Sequence, residues 1–225
     1  MERDEILSRG VHWIIPVSSQ IQKELIEEYP DSVIKHFHLG WPGVDNSVDC
    51  GIKDKFDLGA PRCVFVGKEW KRKGLYRAIS IIDEFRSTVP NATLDVYGVE
   101  PSVIPKWMSE KDSVRIMGWH AEIYWKNYDI LIHPAEFEPF GMVVAEARAF
   151  GVAVLMSDRV GAADLEFEGT CIVPLKAPLS EWVSKLDELL KQPYRSAEVR
   201  WTWEDLVDLH CQTIYPQVWA NIAKC

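Results

Sequence analysis

The chain has 225 residues, 47% of them hydrophobic, which is enough for one large domain or one domain with part of another. Its formal net charge of −9 excludes a general nucleic-acid binder, which needs a basic face. No apolar run approaches the roughly 20 residues of a membrane-spanning helix, so no transmembrane segment is expected.

Five cysteines, at positions 50, 63, 171, 211 and 225, are scattered with no Cys-x-x-Cys. An odd, dispersed set points to reduced thiols and a cytoplasmic setting, with a membrane surface as the alternative. The first twelve residues are charged and lack an apolar segment, so no signal peptide is expected. Ten tryptophans are many for this length and are read first as core or interface residues.

In chain order, residues 11–17 are apolar and end at Ser18-Ser19, a good helix cap. Ile21, Leu25 and Ile26 then follow helical spacing up to Pro30. Residues 32–39 alternate as a strand does. Residues 40–57 hold Gly, Pro, Asp and Asn with little periodicity and form the linker candidate. Beyond them a regular alternation begins. Strands are expected at 63–66, 93–97, 113–117, 129–133, 152–156 and 171–173. Helices are expected at 75–85, 122–127, 142–150, 179–190 and 204–222, the last broken or kinked by Pro216. Short apolar strands alternating with helices imply an α/β fold with a parallel sheet covered on both faces.

Two strand-to-helix junctions could carry chemistry. The first, residues 67–74, reads Gly-Lys-Glu-Trp-Lys-Arg-Lys-Gly. With Arg77 it forms a cluster of five cations: Lys68, Lys71, Arg72, Lys73 and Arg77. A helix N-terminus with lysines beside it suits phosphate; a solvated basic loop is the plain alternative. Neither a Walker A loop nor a G-x-G-x-x-G is present. The second junction runs from Glu138 to Glu146, Glu-Pro-Phe-Gly-Met-Val-Val-Ala-Glu. Gly141 lets a ligand approach the backbone closely, and the amides of Gly141, Met142 and Val143 face out of the helix start. Glu146 lies one turn inside the helix, and helical side chains tilt toward the N-terminus. Both carboxylates can thus meet one ligand, and a carboxylate accepts paired sugar hydroxyls. The plain alternative is an acidic cap and an exposed helix glutamate. Together the junctions suggest a nucleotide sugar.

The ordered set of motifs resembles the C-terminal, donor-binding domain of retaining GT-B glycosyltransferases of the family-4 type (glycosyl transferases group 1). Trp13 to Ser18, Gly43-Val44-Asp45, Val66-Gly67 with Lys73-Gly74, residues 94–98 and 116–119, residues 129–134, the E-x7-E of Glu138 to Glu146, Ser157-Asp158 with Gly161, and Trp203-Glu204 carry the likeness. It covers residues 11 to about 220. The resemblance implies a Rossmann-like, doubly wound parallel sheet with helices on both faces over residues 51–225, including the closing C-terminal helices. Residues 1–50 would hold a remnant strand–helix–strand of the acceptor domain and a linker.

By that resemblance Lys73 and Lys68 would hold the donor diphosphate, and Glu138 would contact the transferred sugar near the reacting carbon. The catalytic pair would be Glu138 and Lys73. The amides of Phe140, Gly141, Met142 and Val143 would bind phosphate and sugar hydroxyls. Glu146 would bind the ribose, and Gly118 and Trp119 would lie against the base. Three departures stand out. Lys68 replaces the usual Arg and loses bidentate geometry. Gly161-Ala162-Ala163-Asp164 replaces the usual Gly-Gly-x-x-Glu. Most of the acceptor domain has no counterpart.

The implied activity is transfer of a hexose or deoxyhexose from a nucleoside-diphosphate sugar to a glycan or other hydroxyl acceptor. No metal or other cofactor is expected, since no D-x-D motif occurs. A further domain of the same polypeptide, or another chain, would be the partner. Two other readings compete: a donor-binding module that needs such a partner for transfer, and a structural domain with a vestigial site. Lesser candidates are His36-Phe37-His38 as a metal pair or a plain strand face, and His133 as a site contact or a satisfied strand-end histidine. His120 is read as a helix cap or base contact, and Trp70 as a stacking or loop-packing residue.

Overall fold

The computed structural model describes residues 13–29, 36–37, 39–44, 57–192 and 201–216. Two compact units divide the chain: Met1–Asn46 with Arg200–Cys225, and Ser47–Val199. In the first, β1 (Trp13–Ile14) leads into α1 (Ser19–Glu28) and pairs in parallel with β2 (His36–Phe37). The cap forms at the expected serine: Ser18 Oγ accepts the Ile21 N–H at 3.3 Å. His38 and the side chain of His36 lie outside the described residues, as do residues 45–56 of the linker candidate.

The second unit holds six strands: β3 (Arg62–Val66), β4 (Thr93–Tyr97), β5 (Val114–Gly118), β6 (Ile130–His133), β7 (Ala153–Ser157) and β8 (Thr170–Val173). Between them run α2 (Leu75–Phe85), α3 (Lys106–Ser109) and α4 (Met142–Ala149), and α5 (Leu179–Lys191) follows β8. The strands form one all-parallel sheet in the order β5-β4-β3-β6-β7-β8. The chain winds outward from β3 to β5, then returns to the other side of β3 and winds outward again. This is the α/β, Rossmann-like doubly wound sheet, and its direction reverses between β3 and β6. Parallel sheets bind ligands in the crevice beyond the strand carboxyl ends at such a reversal.

The four central strands, β4, β3, β6 and β7, are buried on both faces, which explains their continuous apolar runs. Cys63, Phe65, Leu94, Val96, Ile130, Ile132, Ala153 and Leu155 meet α2 and α5 in one core. Helix α2 contributes Leu75, Ala78, Ile79, Ile82 and Phe85, and α5 contributes Trp182, Leu186, Leu189 and Leu190, both at helical spacing. The alternate residues Val64, Leu131 and Val154 are equally buried, and α4 packs against β6 and β7. Each such aliphatic side chain contributes roughly 1.5–3 kcal/mol by leaving water. Burial also pushes the Cys63 thiol upward, so it stays protonated. Cys63 and Cys211 are free thiols.

Several boundaries differ from expectation. Residues 122–124 are not helical; only a 3-10 turn, Trp125–Asn127, forms. Helix α3 gave no clear periodic signal because it is a single turn. The larger difference concerns the C-terminus, which the sequence reading joined to the sheet domain. Residues 200–225 group instead with the N-terminal segment. Val44 bridges Thr202, and Trp41 meets Trp201 edge-on at 5.3 Å. A side chain at Gly43 would fall on the Trp203 backbone. The α6 helix (Trp203–Asp208) opens with a capping box, Thr202 Oγ1 accepting the Asp205 N–H at 3.1 Å. It passes into a π-helical stretch, Leu209–Ile214, just before Pro216, and residues 217–222 of the expected helix lie outside the described residues. Proline lacks an N–H and crowds the preceding turn, which fits a locally widened helix. Among the described residues no helix is long and apolar enough to cross a membrane.

Candidate functional site

Two loops leave the strands that flank the sheet reversal: residues 67–74 after β3 and residues 134–141 after β6. They are stitched together. The Glu136 N–H donates to the Arg72 carbonyl at 2.8 Å, and the Arg72 guanidinium donates to the Phe137 carbonyl. Gly74, at φ +80°, begins α2 so close to the second loop that a Cβ would lie 2.1 Å from the Pro134 oxygen. Gly141, at φ +96°, begins α4 with no side-chain cap, so the first-turn amides are not covered by one. The Glu138 backbone is pinned by the loop after β7: its N–H donates to Arg159 O at 2.9 Å, and its carbonyl accepts from Gly161 at 3.0 Å.

Between the loops lies a cleft of about 560 Å³. Lys68, Lys73, Glu138, Phe140, Gly141, Met142, Val143 and Glu146, eight of the ten residues singled out from sequence, all line it. Lys73 Nζ and the Glu138 carboxylate form an ion pair across the cleft, and Arg72 Nη1 lies 3.6 Å from the same oxygen. Arg72 Nε also donates to Glu69 at 2.5 Å, and that hydrogen bond holds the Glu69 carboxyl below its usual range. Burial pushes the Glu146 carboxyl upward.

His133, at the end of β6, is fully buried with Nε2 3.9 Å from Glu138 Oε2. Neither ring nitrogen hydrogen-bonds to a described residue. Burial, and then the charges of Lys73 and Arg72, push its pKa down to about 3. It is a neutral imidazole behind Glu138. The sequence signal for it was weak, since a histidine closing an apolar strand looks like any edge residue.

The remaining expectations sort by distance. Gly118 and Trp119 do not line the cleft; they lie at the end of β5, two strands from β3. Of the five cations, Lys68, Arg72 and Lys73 reach the cleft. Lys71 lies over the Trp70 ring, and Arg77 turns to Trp182 and the Ala177 carbonyl. Trp70 itself packs against the core. His120 caps no helix; its ring bonds to Met117 O at 2.9 Å. In the altered Gly161-Ala162-Ala163-Asp164 segment, Ala162 N donates to Phe140 O at 2.7 Å, and Asp164 is not among the lining residues. Sequence reasoning gave Arg72 no role of its own, although it sits inside the Lys-Arg-Lys run.

Comparison with known proteins places this geometry. The chain is 24% identical over 162 residues to the lipopolysaccharide glucosyltransferase WaaG of Escherichia coli (strain K12), covering 69% of this chain and 42% of that protein. The crystal structure of WaaG matches with TM-score 0.61 and 18% identity, over 89% of this chain and 58% of the other. Sucrose-phosphate synthase from Thermosynechococcus elongatus matches at 0.65 and 19%, over 93% and 59%. HepE from Anabaena, solved with UDP and glucose, matches at 0.66 and 17%, over 98% and 65%. The chain thus spans under half the length of its curated relative and about three fifths of these structures. The structural likeness establishes the GT-B glycosyltransferase fold. The family described as "Glycosyl transferases group 1" matches residues 60–192, more than half of the chain. The chain therefore belongs to the glycosyl transferases group 1 family.

Proposed function

We propose that the chain binds a nucleoside-diphosphate sugar and takes part in transferring its hexose or deoxyhexose, with retention, to a glycan or other hydroxyl acceptor. The observation that carries this reading is the meeting, in one cleft, of Lys68, Arg72, Lys73, the open first turn of α4 and two carboxylates, Glu138 and Glu146. Cations and helix-start amides suit the diphosphate. Carboxylates suit hydroxyls. WaaG and HepE, whose names or bound molecules involve glucose and UDP, support the same reading.

In the proposed step the bond from the anomeric carbon to the diphosphate oxygen breaks and its electron pair leaves with the diphosphate, while the acceptor hydroxyl oxygen bonds to that carbon on the same face and its proton passes to the departing phosphate oxygen. Lys73, Lys68, Arg72 and the α4 amides stabilise that charge, usually the largest catalytic contribution. Charge neutralisation is assigned to these groups rather than to a metal. Glu138 orients the sugar and offsets positive charge at the anomeric carbon. Glu146 holds the ribose. Gly118 and Trp119 lie farther out, where the base would reach. The thiols of Cys63 and Cys211 fit a reducing, cytoplasmic setting.

A second reading keeps the donor site but gives transfer to a partner domain or chain. It is favoured by the fact that, among the described residues, the cleft is lined by residues of the sheet unit. The test is a binding screen of UDP, GDP, ADP and dTDP, then of their sugars, followed by an assay for donor hydrolysis or transfer. Binding with turnover supports the first reading, and binding without it the second. Binding of none would remove both.

A further inference from the structure

The cleft is closed on one side and open on the other. Toward β7, Glu138 bridges Val160, and a Cβ on Gly141 would lie 2.9 Å from Val160 Cγ1. Toward β5, the ends of β3, β4 and β5 carry Gly67, Gly98 and Gly118 in succession. Gly98 N–H donates to Gly118 O at 2.8 Å, and a Cβ on Gly98 would lie 3.1 Å from the Gly67 carbonyl carbon. These three strand ends therefore form a shelf without side chains, leading from the cations to the end of β5. There the Trp119 N–H donates to Glu100 Oε1 at 3.3 Å. Glu100 is exposed, and Trp119 is 72% exposed.

We propose that Glu100 makes the site selective for guanine nucleotides, an inference that rests on the nucleotide-sugar reading above. An N–H donor stands beside a carboxylate with two acceptor oxygens. The guanine edge is the complement: O6 accepts, while N1–H and N2–H donate side by side. Uracil offers one N–H between two carbonyl oxygens. Adenine offers one amino group beside an unprotonated ring nitrogen. With either, a carboxylate oxygen faces a lone pair, and a carboxylate has no proton to give. Guanine O6 takes over the Trp119 N–H as Glu100 turns to the N1–H and N2–H, so neither protein group loses a partner. A glutamine at position 100 has one acceptor and one donor, which fits uracil better than guanine.

Titration calorimetry on the full 225-residue chain tests this, with GDP, UDP, ADP and inorganic pyrophosphate at one salt concentration. GDP is expected to bind at least tenfold more tightly than UDP or ADP. Glu100→Gln is expected to weaken GDP at least tenfold, to leave UDP unchanged or tighter, and to leave pyrophosphate unchanged. Glu100 is exposed, so the variant keeps the fold. A preference for GDP below tenfold, or equal losses for all three nucleotides in Glu100→Gln, overturns the role of Glu100 while the nucleotide site stands. If none of the three nucleotides binds, the nucleotide reading itself fails and the guanine selectivity with it.

Discussion

Lys73 and Glu138 come from opposite loops of the sheet reversal and pair with each other across the cleft. The cation assigned to the diphosphate is therefore held by the carboxylate assigned to the sugar. On the proposed reading, a donor that enters exchanges this pair: Lys73 would turn to phosphate as Glu138 turned to hydroxyls. An anion without a sugar leaves Glu138 without that compensation. Binding of the two halves of the donor is thus coupled through one contact.

Lys73→Ala removes a charged hydrogen-bond donor from the proposed phosphate site. The expected loss is about 2 kcal/mol, or roughly thirtyfold in donor affinity, with turnover falling alongside it. The side chains are only 17% and 11% exposed, so Glu138 is left partly buried with Arg72 as its remaining cation. That costs about 1–2 kcal/mol of stability, below the range for a fully buried pair. Adding Glu138→Gln to Lys73→Ala should restore most of the stability and none of the binding. Denaturant unfolding and donor titration of the three proteins check this. A Lys73→Ala protein with normal donor affinity would remove the phosphate assignment.

His133 makes a separate, pH-dependent prediction. In the folded protein it stays neutral down to about pH 3, whereas the unfolded chain takes up its proton below about 6.5. Between these values the unfolded state binds more protons, so stability rises with pH. The contribution is complete above about 6.5 and is lost as pH falls toward 3, at up to about 1.4 kcal/mol per pH unit. His133→Leu deletes this titration and should flatten the dependence. Urea midpoints measured from pH 7 to pH 4 give the comparison. Equal slopes for both proteins would mean that another group carries the acid sensitivity.

Much of the sheet unit was legible because its signals are local. Helix α2 runs from Leu75 to Phe85, the bounds its spacing predicted, since Leu75, Ala78, Ile79, Ile82 and Phe85 all meet one core. The eight cleft residues were legible for the same reason, as each lies within a strand end or helix start. What depends on direction was not. Arg72 and Arg77 belong to one basic cluster in sequence, yet one reaches Glu138 and the other covers Trp182. Contacts distant in sequence were not legible either. Val44 and Thr202, for example, carry no local mark of their pairing.

The two helix-start glycines should differ in cost. Both have positive φ, where a side chain is strained by about 1–3 kcal/mol. Gly141→Ala adds a contact at 2.9 Å with the movable Val160 side chain, so about 2 kcal/mol is expected. Gly74→Ala places its Cβ 2.1 Å from the Pro134 oxygen, which is backbone and moves only if the loops part. It should cost clearly more, about 3 kcal/mol or above, and abolish nucleotide binding. Parallel denaturant curves decide the order, and equal losses would contradict the stitched-loop geometry.

Glu146 should show opposite effects on stability and binding. Burial raises its folded pKa above the ordinary 4.5, so between these values the folded state binds more protons than the unfolded one. Its stabilising contribution is complete below pH 4.5 and is lost as pH rises through the folded value. Above the raised folded value the empty protein thus carries a half-buried, destabilising carboxylate, which Glu146→Gln relieves. The proposed ribose contact needs the ionised form, because only that form accepts from both hydroxyls. Nucleotide affinity should therefore fall on acidification through the raised pKa, and binding in that range should release a proton. Glu146→Gln should stabilise the empty protein at pH 7, weaken free nucleoside diphosphates about tenfold and remove the pH dependence. Calorimetry in two buffers of different ionisation enthalpy reads the proton directly. If Glu146→Gln gained stability yet kept full affinity, Glu146 would be a half-buried helix carboxylate with no part in holding the ribose.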